Sequence, residues 1–140
     1  MWDRRTRARA REETRMGKHV VLVEDETNIA EAIRFLLSRD GWRVETLANG
    51  GNAAQVIRAA RPDLVILDVM LPGKTGFEIL AELRCEDSLA ELPILMLTAR
   101  GQSRDRERAL AAGVSRFMTK PFSNDEMVTA VRELTSGTVS

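Results

Sequence analysis

Six side chains in this sequence have types and positions that suit shared chemistry. Glu24, Asp25 and Glu26 form one acidic run, and Asp68, Thr98 and Lys120 follow at intervals of 43, 30 and 22 residues counted from Asp25. Carboxylates drawn close together repel, and each disfavours the ionised form of the others. A divalent cation relieves that repulsion, and an oxygen-only donor set with room for water and substrate oxygens favours Mg2+. A lysine facing such a cluster adds up to about 4 kcal/mol of attraction per pair at a separation near 4 Å and an effective dielectric near 20. A carboxylate held beside both a metal and an ammonium is suited to accept a phosphoryl group, because the two cations neutralise the transferring oxygens. An aspartyl phosphate is a recognised covalent species in such chemistry.

That chemistry requires elements that bring distant residues to one place. From His19 onward, short β-branched runs alternate with amphipathic stretches of helical period. The pattern predicts strands over His19–Glu24, Arg43–Leu47, Leu64–Asp68, Ile94–Leu97 and Arg116–Met118, with helices over Thr27–Ser38, Gly51–Ala60, Gly76–Cys85, Ser103–Ala112 and Asn124–Leu134. Asn52, Ser103 and Ser123 read as helix starts, Gly41 and Gly113 as helix stops. Glu26 reads as the acid that caps the first helix, rather than as a ligand. Runs such as VVLV and LVIL are apolar on both faces, as parallel strands covered by helices on both sides must be. Five βα units with short connections imply an α/β fold with an open, doubly wound parallel sheet. Ligands of such sheets bind outside the carboxyl ends of the strands. Glu24–Glu26, Asp68, Thr98 and Lys120 all fall at those ends, which, with Glu26 set aside as the cap, places three carboxylates, a hydroxyl and an ammonium in one crevice.

Composition narrows the alternatives. With 140 residues, 44% of them hydrophobic, the chain suits one domain. No apolar run approaches the ~18 residues of a membrane span, and no N-terminal apolar segment resembles a signal peptide. Cys85 is the single cysteine and forms no internal disulfide, which fits a reducing, cytoplasmic setting. One histidine, His19, and one cysteine exclude most zinc sites. The formal net charge of zero divides unevenly: residues 1–18 sum to +4 and residues 19–140 to −4. The first segment has almost no apolar content and reads as a flexible basic tail, ahead of a domain over residues 19–136 and a short C-terminal tail at 137–140. Pro72-Gly73-Lys74-Thr75 fails the nucleotide-loop pattern, because Asp68 stands where its first glycine is required. Trp2 and Trp42 form no stacking platform with other aromatics, so single-strand nucleic-acid binding has little support and direct nucleic-acid binding by this domain is not expected.

Four motifs in order carry a family resemblance: VVLVEDE at Val20–Glu26, LVILDVMLPGKTGFEIL at Leu64–Leu80, PILMLTAR at Pro93–Arg100 and FMTKPF at Phe117–Phe122. Together they resemble the response-regulator receiver domain of two-component signalling, over about residues 19–136. The resemblance implies a flavodoxin-like sheet of strand order 2-1-3-4-5. It implies that Asp68 is the phosphoacceptor, and that Glu24, Asp25, Asp68 and the backbone carbonyl of Met70 hold Mg2+. Lys120 is implied as the lysine on the phosphoryl oxygens, Thr98 as the hydroxyl that moves towards them, and Phe117 as the switch aromatic. A cis Lys120–Pro121 bond is also implied. The implied partners are a sensor histidine kinase or phosphotransfer protein and a downstream protein bound through the face of helix 4, strand 5 and helix 5. A phosphorylation-dependent homodimer is a further candidate assembly.

In the family, residues two past the acceptor and two past the hydroxyl tune hydrolysis. Met70 and Arg100 hold those positions and offer no group to position water, so self-dephosphorylation is expected to be slow. The chain therefore reads as a phosphorylated signalling domain rather than an enzyme. TARG with Arg104-Asp105-Arg106 resembles the receivers of winged-helix transcription factors. Ser115 and Arg116, however, stand where that subfamily has the acidic residues of its dimer face. The sequence ends six residues past Leu134, so the expectation is a single-domain regulator, the alternative being an excised receiver of a DNA-binding regulator or a hybrid kinase. An aspartate-nucleophile phosphatase of the haloacid dehalogenase type would need a second Asp at Met70. A flavodoxin would place the acidic Glu24–Glu26 loop against a phosphate.

Overall fold

Alternate residues of each central strand point to opposite faces, and both sets are apolar, so the sheet is covered on both sides. A computed structural model describes residues 18–99 and 103–136. The tail before Lys18, Arg100 and residues 137–140 lie outside the described residues, and with them the expectations placed there. The elements run β1 (His19–Val23), α1 (Thr27–Arg39), β2 (Arg43–Leu47), α2 (Ala53–Ala60), β3 (Leu64–Asp68), α3 (Gly76–Arg84), a 3-10 turn (Asp87–Leu89), β4 (Ile94–Ala99), α4 (Ser103–Ala111), β5 (Arg116–Lys120) and α5 (Asn124–Ser136). The sheet is parallel throughout, in the order β2-β1-β3-β4-β5. This is the flavodoxin-like 2-1-3-4-5 arrangement that the family resemblance implies.

Val20, Leu22, Leu64, Ile66, Leu95 and Leu97 face one way and pack with Ile33 and Leu37 of α1 and Met127 and Val131 of α5. Val21, Val23, Val65, Leu67, Ile94 and Met96 face the other way, against Ile57 of α2, Leu80 and Leu83 of α3 and Ala109 of α4. Right-handed crossovers produce this division, with two helices on one side and three on the other. The outer strands β2 and β5 are only partly buried, as edges must be.

Where element ends differ from expectation, they do so by one or two residues. β4 runs on to Ala99 and β5 to Lys120, because Thr98 and Ala99 pair in register with Thr119 and Lys120. Gly41 and Gly113 adopt the positive φ that ends a helix turn. Ser123 forms the expected start of α5, accepting at Oγ from the amide of Glu126 while its own amide donates to the Glu126 carboxylate. Ser103 is the first helical residue of α4, as expected. Asn52 and Glu26 occupy cap positions, but neither side chain bonds the helix. An unforeseen capping box joins Thr75 and Glu78 at the start of α3.

Candidate functional site

Strand ends bring the acidic groups together. The register sets Val23 beside Leu67, so the next residues, Glu24 and Asp68, emerge side by side at the carboxyl edge. The amide of Glu24 donates to Leu47 O at 2.9 Å, which extends the ladder and points the side chain inward. Glu24 and Asp68 are only 2% and 3% exposed, whereas Asp25 is open to solvent. One carboxylate oxygen from each of Glu24, Asp25 and Asp68 lies within 4.8 Å of the other two. Lys120, at the end of β5, reaches across β4's end towards them. Its Nζ is 3.3 Å from Asp68 Oδ2, 3.1 Å from Glu24 Oε1 and 3.8 Å from Glu26. The Lys120–Pro121 peptide is cis, as expected.

Electrostatics here are dominated by burial. Desolvation pushes the Glu24 carboxyl up to about 7; the Glu26 amide, which donates to Oε2 at 3.1 Å, and Lys120 oppose the rise, and the Asp68 charge adds to it. Asp68 is raised for the same reason, against the pull of Lys120 and of the Met70 amide that donates to it. Burial alone would lower Lys120, but Asp68 and Glu24 outweigh it and the net shift is upward.

One ammonium cannot neutralise three carboxylates, and Glu24 Oε1 is buried with only the ionic approach of Lys120 and no directed hydrogen bond. An all-oxygen donor set of this charge, beside an open crevice of ≈ 730 Å³ lined by Asp25, Asp68, Met70 and Lys120, fits a hard divalent cation.

The other expected residues lie farther out. Thr98 is 2% exposed, and its hydroxyl donates to Asp105 Oδ2 of α4 at 3.1 Å. Phe117 is partly buried against the core on the α3–α4 side, and lines a shallow groove with Arg106 and Met118. Met70 is exposed at the crevice mouth. Lys74, the residue that invites a nucleotide-loop reading, is ion-paired with Glu82. Two contributors were not foreseen. Asp105, named in the sequence only as part of Arg104-Asp105-Arg106, carries no signal of a place at the site beyond its position in the first turn of α4. Arg84 is half-buried and donates to Gly113 O and Leu89 O, both at 2.9 Å, tying α3 to the segments flanking β4.

A parallel 2-1-3-4-5 sheet with buried acids and a lysine at its carboxyl edge defines a doubly wound α/β domain with an acidic crevice at that edge. Residues 20–132 match the family described as response regulator receiver domain, and the chain belongs to that family. It is 42% identical over 115 residues to the "Probable transcriptional regulatory protein TcrX" of Mycobacterium tuberculosis, covering 82% of this chain and 48% of that protein. It is 39% identical over 115 residues to the phosphate regulon transcriptional regulatory protein PhoB of Rhizobium meliloti, covering 82% and 51%. The chain thus spans about half the length of these curated relatives. Among solved structures, the receiver domain of sensor histidine kinase PA1611 of Pseudomonas aeruginosa superimposes with a TM-score of 0.79 at 30% identity, covering 86% of this chain and 98% of that one. That structure has a magnesium ion coordinated in its active-site cleft. Among the described residues, no helix is long and apolar enough to cross a membrane.

Proposed function

We propose that the chain accepts a phosphoryl group on Asp68 from a phosphohistidine donor, a sensor kinase or phosphotransfer protein, and relays the change to a protein-binding face. The observation that carries this reading is the buried Asp68 carboxylate at the crevice, 3.3 Å from Lys120 and flanked by two more carboxylates. In the transfer, an Asp68 oxygen forms a bond to phosphorus as the phosphorus–nitrogen bond of the donor breaks. The imidazole leaves with that electron pair and takes a proton from solvent. Lys120 neutralises the equatorial oxygens, and the Thr98 hydroxyl donates to one of them. Glu24, Asp25, Asp68 and the Met70 carbonyl would hold Mg2+, which supplies Lewis-acid neutralisation of the transferred oxygens when bound. The crevice continues into an apolar trough formed by Ile29, Ala32 and Leu36 of α1 with Phe122, a surface suited to the apolar side of a donor helix. Phe117 and the α4–β5–α5 face carry the output, in a cytoplasmic setting.

Incubation with acetyl phosphate and Mg2+, followed by intact-mass measurement, is expected to show one phosphoryl adduct that needs Mg2+ and persists for minutes or longer. No adduct, or one that decays in seconds, contradicts the reading or its slow-hydrolysis part respectively. A second reading, the receiver segment of a longer DNA-binding regulator, is favoured by the relatives named as transcriptional regulators, of which the chain spans about half.

The raised Glu24 carboxyl gives a stability prediction with a definite sign. Between 4.5 and about 7 the folded state keeps a proton that the unfolded chain has lost. The folded state therefore binds more protons in that window, and stability falls as pH rises through it. His19 is lowered by burial and acts in the opposite sense below its ordinary 6.5, so the comparison must be with Glu24→Gln. Thermal melts without Mg2+ are expected to show wild type losing ground to Glu24→Gln from about pH 5 to about pH 7. A constant difference between the two would refute the buried-acid account.

A further inference from the structure

We propose that Asp105 is a positioning residue that holds α4 in the resting state through the Thr98 hydroxyl, and that phosphoryl uptake frees α4 by drawing that hydroxyl away. The inference rests on the reading of Asp68 as phosphoacceptor and Thr98 as its hydroxyl.

Thr98 is buried at the end of β4, and its hydroxyl donates to Asp105 Oδ2 at 3.1 Å. A threonine hydroxyl has a single proton to donate. It serves Asp105 or a phosphoryl oxygen on Asp68, not both, so the two acceptors compete. A hydrogen bond to a carboxylate is about twice as strong as one between neutral groups. Asp105 also lies in the first turn of α4, where the helix end favours negative charge.

The composition of α4 makes this one bond count. Within Arg104–Ala111, Ala109 is the residue buried in the core, and the larger Leu110 points outward with 53% exposure. Burial of one methyl group supplies little. Among the described residues, two polar attachments add to the seat: Thr98 to Asp105, and the Arg108 guanidinium stacked 4.0 Å from the centroid of Phe77 on α3. By contrast, α5 buries Met127, Ala130 and Val131, and α3 buries Phe77, Ile79, Leu80 and Leu83. Loss of the Thr98 proton thus removes a large share of what seats α4 and a small share of what holds any other helix. Because Arg106 of α4 and Phe117 of β5 line one groove, movement of α4 opens the outer face beside Phe117.

The test titrates beryllofluoride, a phosphoryl mimic, in the presence of Mg2+ into wild type, Asp105→Ala, Asp105→Asn, Thr98→Ala and the Asp105→Ala/Thr98→Ala pair. Asp105→Ala is expected to bind the mimic about three- to tenfold more tightly than wild type, because no competing bond must be broken. Asp105→Asn keeps an uncharged acceptor and is expected in between, and its gain suffices should the alanine variant fold poorly. With Thr98 already replaced, Asp105→Ala is expected to change nothing. Without the mimic, amide exchange over residues 103–111 is expected to speed up in Asp105→Ala while α5 stays unchanged. A purely structural Asp105 would lower stability without tightening the mimic. If wild type binds the mimic and the Asp105 variants bind it equally or less well, or gain equally without Thr98, the proposal is overturned and the receiver reading stands. If wild type neither binds the mimic nor forms an adduct, both fall.

Discussion

Asp68→Asn will abolish phosphoryl uptake from acetyl phosphate while leaving the domain folded. The asparagine fills the same space at the end of β3 and still accepts from the Met70 amide, but it offers no anionic oxygen to attack phosphorus. It also removes one of two buried carboxylates that share Lys120. Burial raises both of these carboxyls, so in the metal-free protein near neutral pH their ionisation opposes folding. The substitution is therefore expected to stabilise the metal-free domain by about 1 kcal/mol near neutral pH, and to make Mg2+ less effective as a stabiliser. Intact mass and thermal melts with and without Mg2+ read both effects on the same samples. An adduct on Asp68→Asn would place the acceptor elsewhere, and a loss of stability without metal would contradict the repulsion argument.

Gly76→Ala will have the largest effect on folding of any single methyl added at this edge. Gly76 opens α3, and its amide donates to Val69 O at 2.8 Å. A Cβ there would stand 2.3 Å from Asp68 O and 3.0 Å from Val69 Cα, both backbone atoms with nowhere to go. Either α3 shifts away from the sheet or the end of β3 moves, and both displace Asp68. Overpacking of this kind costs about 1–3 kcal/mol, and more where only backbone can yield. Denaturant melts should show that loss, and the phosphorylation rate of the folded fraction should drop with it. Retained stability would mean that the chain has slack at this junction. Gly41→Ala is the contrast: nothing lies within 4 Å of a Cβ there, so its cost is limited to the strain of a φ of +93°.

Much of this was legible in the residues. Strand runs apolar on both faces, such as Val20–Val23 and Leu64–Leu67, require a doubly covered parallel sheet, whereas the strand order was implied only by the family resemblance of the four motifs. Because reactive residues of such sheets gather at carboxyl ends, Glu24, Asp25, Asp68, Thr98 and Lys120 could be assembled before any coordinates. The capping box at Thr75 and Glu78 is equally legible, since its T-x-x-E pattern is local. Residues 1–17 and Arg100 fall outside the described residues, so the basic tail and one tuning position remain readings of the sequence alone.

By itself the sequence determined the elements, the doubly covered sheet and the membership of the acidic cluster, because hydropathy period and chain order are properties of neighbouring residues, while the strand order followed from the resemblance of its motifs. Only the tertiary structure decided how polar atoms pair across the sheet. It set Lys120 between Glu24 and Asp68, and it buried Glu24 far enough to raise its carboxyl to about 7. It closed Arg84 onto Gly113 and Leu89 and gave the Thr98 proton to Asp105. Such pairings depend on side-chain direction and on which groups lose water, and those are fixed when helices settle on the sheet rather than by spacing along the chain.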